Sequence, residues 1–306
     1  MKQAPSSVFM VRPQHFGYNP ETAASNAFQK KILLCDHHKI TQNALIEFDA
    51  FADQLKRHLI DVHVFDSPKN HKAPDAVFPN NWISFHEDGK IVLYPMLTKN
   101  RRIERRQEII EALSGKFIVK EVIDISGSES EGKILEGTGS IVFDHKNRIA
   151  YANASARTDR NLFYDVCQQL GYEGVFFKAV DERGLDIYHT NVMMTIGDGF
   201  AVICKASIDQ DDVAKVINSL QAGGLEVIDI SYRQLNHFAG NMIQLENTNH
   251  ENFLVMSNSA FSVLEKGQID RLSKYVNFVH PEINTIETVG GGSARCMIAG
   301  IHLQER

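Results

Sequence analysis

The sequence predicts an α/β fold in which five strand–strand–helix–strand units close into a ring with pseudo-five-fold symmetry. Four hairpin patterns recur at a near-constant interval, each is followed by a helical stretch and one more strand, and the two ends of the chain hold the parts of a fifth unit. A length of 306 residues with 43% hydrophobic side chains supplies a core large enough for this arrangement. A competing reading, two ordinary α/β domains joined near Leu170, leaves the regular spacing unexplained.

Taken in order, a strand at 8–11 precedes a helix from about 40 to 59 and a strand at 62–65. The first hairpin pairs 81–85 with 91–94 across Asp88-Gly89, and the second pairs 139–143 with 149–151 across Lys146-Asn147. The third pairs 191–195 with 200–203 across Asp198-Gly199, and the fourth pairs 241–245 with 253–256 across a longer loop. Apolar residues at helical spacing mark 101–113, 160–170, 211–220 and 260–272, and strands follow at 117–125, 174–180, 225–230 and 276–279. The last apolar run, 297–301, has no hairpin of its own. Pairing it with the strand at 8–11 completes the fifth unit and removes an exposed sheet edge, so one domain, 1–306, is expected.

Charge and cysteine usage narrow the function classes. A net charge of −6 without a polybasic run makes nucleic acid an improbable partner, and the apolar patch at 8–11 is too brief for a signal-peptide core or a membrane span. A cytoplasmic location is expected, without membrane association. Cysteines 35, 167, 204 and 296 form no Cys-x-x-Cys pair, so four free thiols are expected rather than a disulfide framework or a zinc knuckle. Oligomeric state is left open, a homo-oligomer being compatible.

Polar residues gather where the units align. Just before each first strand stand Phe78-Pro79-Asn80, Leu135-Glu136-Gly137-Thr138, Tyr188-His189-Thr190 and Phe238-Ala239-Gly240, and in the fifth unit Ser293-Ala294-Arg295 leads to Cys296. In a ring these positions point at one place, so an Asn pair, a carboxylate, an imidazole and a thiol converge: a nucleophile, a base and an orienting acid. A thiol beside a histidine can ionise near neutral pH. Singly, Cys296 reads as a small core hydrophobe and His189 as a structural residue; their matching repeat positions favour catalysis. Gly290-Gly291-Gly292 lets backbone amides approach a ligand, but no Lys-Ser or Lys-Thr follows, which excludes a phosphate loop. Trp82 and Met193-Met194 read as inter-unit packing, with Phe78 and Trp82 as alternative cavity lining and Tyr18-Asn19 as a covering loop.

Pro74-Asp75-x-Val77-Phe78-Pro79-Asn80-Asn81, Leu135-Glu136-Gly137, Ala156-Arg157-Thr158-Asp159, His189-x-Asn191 and Cys296 occur in that order. With this order the chain resembles the guanidine-modifying amidinotransferase superfamily, the pentein fold. The opening 10–13 and 16–22, with Phe78-Pro79-Asn80-Asn81-Trp82, is most similar to its citrulline-utilisation hydrolases. The resemblance implies a five-bladed α/β propeller with Cys296 as nucleophile, His189 as general acid and then base, and Glu136 steadying the imidazolium. It also implies that Asp75, Asn80, Asn81, Asn191 and Arg157 bind substrate, Arg157 taking the α-carboxylate. The alternative for Arg157 is a surface cation at the start of the helix near Arg160.

Asn81 is neutral where deiminases and dimethylarginine hydrolases of the superfamily carry an aspartate, and Asn191 is neutral as well. An amide offers donor and acceptor and suits an uncharged ureido group, whereas a carboxylate suits a guanidinium; Asn at these places also caps turns. The reaction expected is hydrolysis of citrulline to ornithine, carbon dioxide and ammonia through an S-carbamoyl-type intermediate, with no metal or organic cofactor. Rival readings are a deiminase, dimethylarginine hydrolase or amidinotransferase acting on a guanidino substrate, a non-catalytic binding protein of the same fold, and a metal site at His37-His38, His71 or His237, whose spacing is unsuited to it.

Overall fold

A computed structural model describes residues 2–31, 37–68 and 72–306. The chain begins with β1 (Ser7–Arg12), the helix His37–Arg57 and β2 (Asp61–Asp66), followed by β3 (Ile83–Phe85), β4 (Lys90–Leu93) and β5 (Glu121–Asp124). Next come β6 (Val142–Asp144), β7 (Ile149–Asn153) and β8 (Glu173–Phe177), then β9 (Met194–Ile196), β10 (Phe200–Ile203) and β11 (Glu226–Asp229). The last strands are β12 (Ile243–Glu246), β13 (Asn252–Val255), β14 (Asn277–Val279) and β15 (Ala299–Ile301).

These strands form five three-stranded sheets of identical topology. In each, the middle strand runs antiparallel to the inner strand and parallel to the outer one; β10, for example, pairs antiparallel with β9 and parallel with β11. The parallel pair demands a crossover, which helical segments supply: Arg160–Leu170 between β7 and β8, Gln210–Ala222 between β10 and β11. β1 is the middle strand of the sheet β15-β1-β2, joining the two ends of the chain. The inner strands sit side by side, β15 against β3, β6 against β9 and β9 against β12, as expected of a five-bladed α/β propeller.

Middle strands are covered on both faces and read as unbroken apolar runs such as Phe200-Ala201-Val202-Ile203. The helices lie outside and bury one stripe: His37–Arg57 turns in Ile40, Ala44, Phe48, Phe51, Ala52 and Leu55. Asp159 caps Arg160–Leu170 by accepting from Leu162 N at 2.8 Å. No helix among the described residues is long and apolar enough to cross a membrane.

The inner strands begin later than the period-2 pattern suggested. Helical turns at Pro79–Asn81, Gly137–Ser140 and Thr190–Met193 precede β3, β6 and β9, because the chain reaches the axis there and must turn sharply into the strand. The helix expected over 101–113 splits into a 3-10 segment, Lys99–Glu104, and the helix Gln107–Ser114, since Arg101 is drawn inward to buried partners. The segment at 260–272 likewise breaks into Asn258–Ser262 and Lys266–Leu272.

Candidate active site

The turns that shorten the inner strands hold the polar side chains at the top of the ring. Glu136 immediately precedes the turn Gly137–Ser140, and His189 precedes Thr190–Met193. Thr190 fixes the second turn by donating to Asn153 Oδ1 at 2.7 Å or to Ser140 O at 2.6 Å. Ser140 Oγ donates to Arg157 O at 2.7 Å, tying the first turn to the segment that carries Arg157.

Glu136 and His189 are fully buried and joined by a 2.8 Å bond between Oε2 and Nε2. The second Glu136 oxygen accepts from Leu97 N at 3.0 Å, and Arg157 Nη1 donates to Oε2 at 3.2 Å. Burial on its own would raise the Glu136 pKa, but Arg157, the bond from His189 and the more distant Arg101 hold it well below the usual carboxylate range. Burial pushes His189 down to about 4 against the pull of Glu136, so the resting imidazole is neutral at pH 7. With Nε2 committed to Glu136, Nδ1 is the nitrogen left to exchange a proton.

His189, Asn81, Asp75, Arg101, Arg157 and Cys296 share one small cavity, walled by Tyr188, Phe78, the glycines 290–292 and the segment around Thr22. Cys296 is buried, and its sulfur is held by Asn241 Nδ2 at 3.2 Å and Asn191 Nδ2 at 3.6 Å. Asn241 also bonds Asn191 O at 2.9 Å and accepts from Arg295 N at 3.1 Å, so one amide fixes both flanks of the thiol. The glycine run delivers Cys296 from the end of the helix Asn284–Gly290, where Gly291, at φ +65°, adopts the left-handed turn that glycine favours. Its carbonyl accepts from Tyr188 O–H at 2.6 Å and Asn26 Nδ2 at 3.0 Å.

The sequence-derived residues fall into different layers. Asp75 is buried, accepts from Asn19 at 2.6 Å and Thr22 at 3.0 Å through Oδ2, and leaves Oδ1 without a partner. Burial raises its pKa despite Arg101. Asn81 accepts from Arg101 Nη1 at 2.8 Å, and its own Nδ2 has no partner. Asn80 lies behind the cavity, its backbone carbonyl taking Thr138 Oγ1 at 3.2 Å. Asn191 touches the sulfur from the axial side rather than lining this cavity. Arg157 is no surface cation: it is 2% exposed, stacked 5.0 Å over Tyr188, and bonded to Thr22 O and Ser25 Oγ as well as to Glu136. Much of its fork is engaged by the protein, while its side chain still lines the cavity. Phe78 walls the cavity, whereas Trp82 packs on Phe9.

Arg101 and Asn241 were missed by sequence reasoning. The apolar period around Ile103 and Ile109 hid Arg101, which is buried against Glu104 at 2.8 Å. Asn241, however, opens the fourth hairpin where Asn81 and Asn191 open the first and third, a signal present in the repeat itself. Cysteines 167, 204 and 296 are free, while Cys35 lies outside the described residues. His37 and His237 are exposed and His71 lies outside the described residues; among those residues no group of three or more His, Cys, Asp or Glu could hold a metal.

Two predictions follow from the packing. A Cβ on Gly139 would stand 2.5 Å from Asn81 Nδ2 and 2.7 Å from His189 Nδ1, so Gly139→Ala should displace the imidazole and lower activity about 100-fold or more, measured against an unchanged circular-dichroism spectrum. Glu287 is buried beneath the glycine run, accepts from Ser293 Oγ at 2.5 Å, and is pushed up to about 7 by burial. Because the native pKa exceeds the unfolded one, the ionised form penalises folding increasingly as pH rises from about 4.5 to 7. Glu287→Gln should therefore stabilise the protein more at pH 8 than at pH 5, by up to roughly 3 kcal/mol in urea unfolding.

A family model described as N,N dimethylarginine dimethylhydrolase, eukaryotic, matches residues 12–303. Comparison with curated proteins finds no match. Among solved structures, the N-terminal domain of ArgZ bound to substrate, an arginine dihydrolase from the ornithine–ammonia cycle in cyanobacteria, superposes with a TM-score of 0.71 at 16% identity, covering 95% of this chain and 96% of that one. The AgrE complex with L-arginine gives 0.75 at 17% identity, with 98% of this chain matching 40% of that one. DDAH from Pseudomonas aeruginosa complexed with citrulline gives 0.65 at 15% identity, covering 97% and 99%.

Proposed function

Because the chain belongs to the N,N-dimethylarginine dimethylhydrolase family of pentein-fold hydrolases, we propose that the cavity around Cys296 hydrolyses the terminal C–N bond of a ureido amino acid, citrulline being the preferred substrate. Cys296, His189 and Glu136 carry the chemistry. His189, neutral at rest, takes the thiol proton at Nδ1, and the imidazolium so formed is stabilised by Glu136. The thiolate attacks the ureido carbon; the bond to the terminal nitrogen breaks, and that nitrogen leaves as ammonia with the proton from His189. An S-carbamoyl-type adduct remains. Water, giving its proton to His189, attacks the same carbon, the C–S bond breaks, and the thiolate is reprotonated. The released carbamic acid loses carbon dioxide to give ornithine.

The observation that carries the ureido choice is the Arg101–Asn81 pair. A buried guanidinium donates at 2.8 Å to the amide whose own Nδ2 lacks a partner, so the wall presents an amide N–H backed by a fixed cation. A neutral C=O accepts from such a wall, whereas a substrate guanidinium meets like charge. The second reading, a guanidino substrate, is favoured by Asp75 Oδ1, a partnerless carboxylate oxygen in the same cavity, although burial raises the pKa of that group. AgrE bound to L-arginine and DDAH bound to citrulline stand on either side of this choice.

Incubating the protein with citrulline, arginine and dimethylarginine, with ammonia and ornithine as readouts, tests it. The expected result is a kcat/KM for citrulline at least about tenfold above that for arginine, the discrimination one like-charge contact of 1.4 kcal/mol produces. Faster turnover of arginine overturns the ureido assignment.

A further inference from the structure

A second, small cavity lies on the axis, bounded by the inner strands β3, β6, β9, β12 and β15. Asn191 lines it while its amide touches Cys296 from the other side, so the thiol's immediate neighbours form part of the partition between the two cavities. Its lining is positively biased. Arg295 and three histidines face it, and among the described residues no aspartate or glutamate does. The histidines occupy equivalent places in three blades: His86 directly follows β3, His145 follows β6 and His302 follows β15.

Arg295 has no carboxylate partner among the described residues; its one side-chain bond is from Nη1 to Ile298 O at 2.9 Å. His86 is 2% exposed, bonds Ser84 Oγ through Nε2 at 2.8 Å, and has no partner for Nδ1. His145 bonds Tyr172 through Nδ1 at 2.8 Å, and its ring lies 4.0 Å from that of His302. A half-buried guanidinium without an anion is costly to desolvate, and two rings this close resist gaining charge together. The titration behaviour agrees: burial, with repulsion from one another and from Arg295, lowers His302 to about 3 and His145 well below its usual value. Burial lowers His86 to about 4. These side chains are not arranged for a metal.

We propose that the axial cavity binds a small oxyanion of the phosphate or sulfate class, held by Arg295 together with His86, His145 and His302. Such an ion accepts from a guanidinium fork and from ring N–H groups, and it supplies the negative charge that the cavity wall lacks. Arg295 directly precedes Cys296, so an oxyanion bound to that guanidinium places negative charge near the sulfur, disfavours formation of the thiolate and lowers the reactivity of the thiol. This coupling bears on the proposed hydrolysis, but binding does not depend on it.

Calorimetric titration of the full chain with inorganic phosphate, in chloride buffer of matched ionic strength, is the test. One phosphate per chain is expected, with affinity reduced about tenfold or more in Arg295→Met and in His302→Gln, as loss of a charge-assisted bond implies. Absence of binding to the unaltered protein overturns the proposal, and so does unchanged affinity in His302→Gln, which would place the phosphate elsewhere. Should Arg295→Met fail to fold, His302→Gln and His86→Gln decide the matter alone. Alkylation of Cys296 by iodoacetamide, slowed by phosphate in the unaltered protein but not in His302→Gln, reads the coupling separately from turnover.

Discussion

Replacing Cys296 with serine is expected to lower ammonia release from citrulline by roughly 10⁴-fold or more while the melting temperature stays within a few degrees, because an alcohol is a far weaker nucleophile at neutral pH and triad members act as a unit. The fold tolerates the change for a visible reason. The sulfur sits between the amides of Asn241 and Asn191, both able to donate to or accept from a hydroxyl, so the buried Oγ is not left without partners. Steady-state ammonia assays and a thermal melt on the same preparation check it. Turnover within tenfold of the unaltered protein removes Cys296 from the reaction.

Exchanging Glu136 for glutamine should produce two effects at once. The amide cannot stabilise an imidazolium as a carboxylate does, so kcat should fall by about 10³–10⁴-fold. Arg157 meanwhile loses the buried charge that faces it at 3.2 Å, which predicts a destabilisation of roughly 3–5 kcal/mol in urea unfolding. The two effects separate cleanly, because Arg157→Gln removes the cation but leaves the bond between Glu136 and His189. Equal loss of kcat in both variants would mean that Glu136 acts by holding the wall together rather than through the imidazole.

Legibility followed the repeat. Asn81, Glu136, His189 and Cys296 stand out as candidates because each precedes an inner strand of its unit, a position that sequence spacing reports directly. The same register would have aligned His86, His145 and His302, one residue past three of those strands, had the far ends of the strands been compared as well as the near ends. Arg101 followed no such rule. It belongs to a helical stretch whose apolar spacing fits an ordinary amphipathic surface, and its burial depends on Asn81, Glu104 and the carbonyls of Asp75 and Phe78, which converge from separate segments.

By itself the sequence determined the fivefold architecture and which polar side chains are candidates for the site, since hydrophobic period, turn residues and repeat register are properties of the chain read locally. Only the tertiary structure decided how those groups are charged and which of them meet. Arg157 became a partner of Glu136, Arg101 became the cation behind Asn81, and Asn241 became the neighbour of the thiol because burial removes water and leaves each polar atom to find a protein partner. Those pairings depend on distances between blades, which no spacing along the chain encodes.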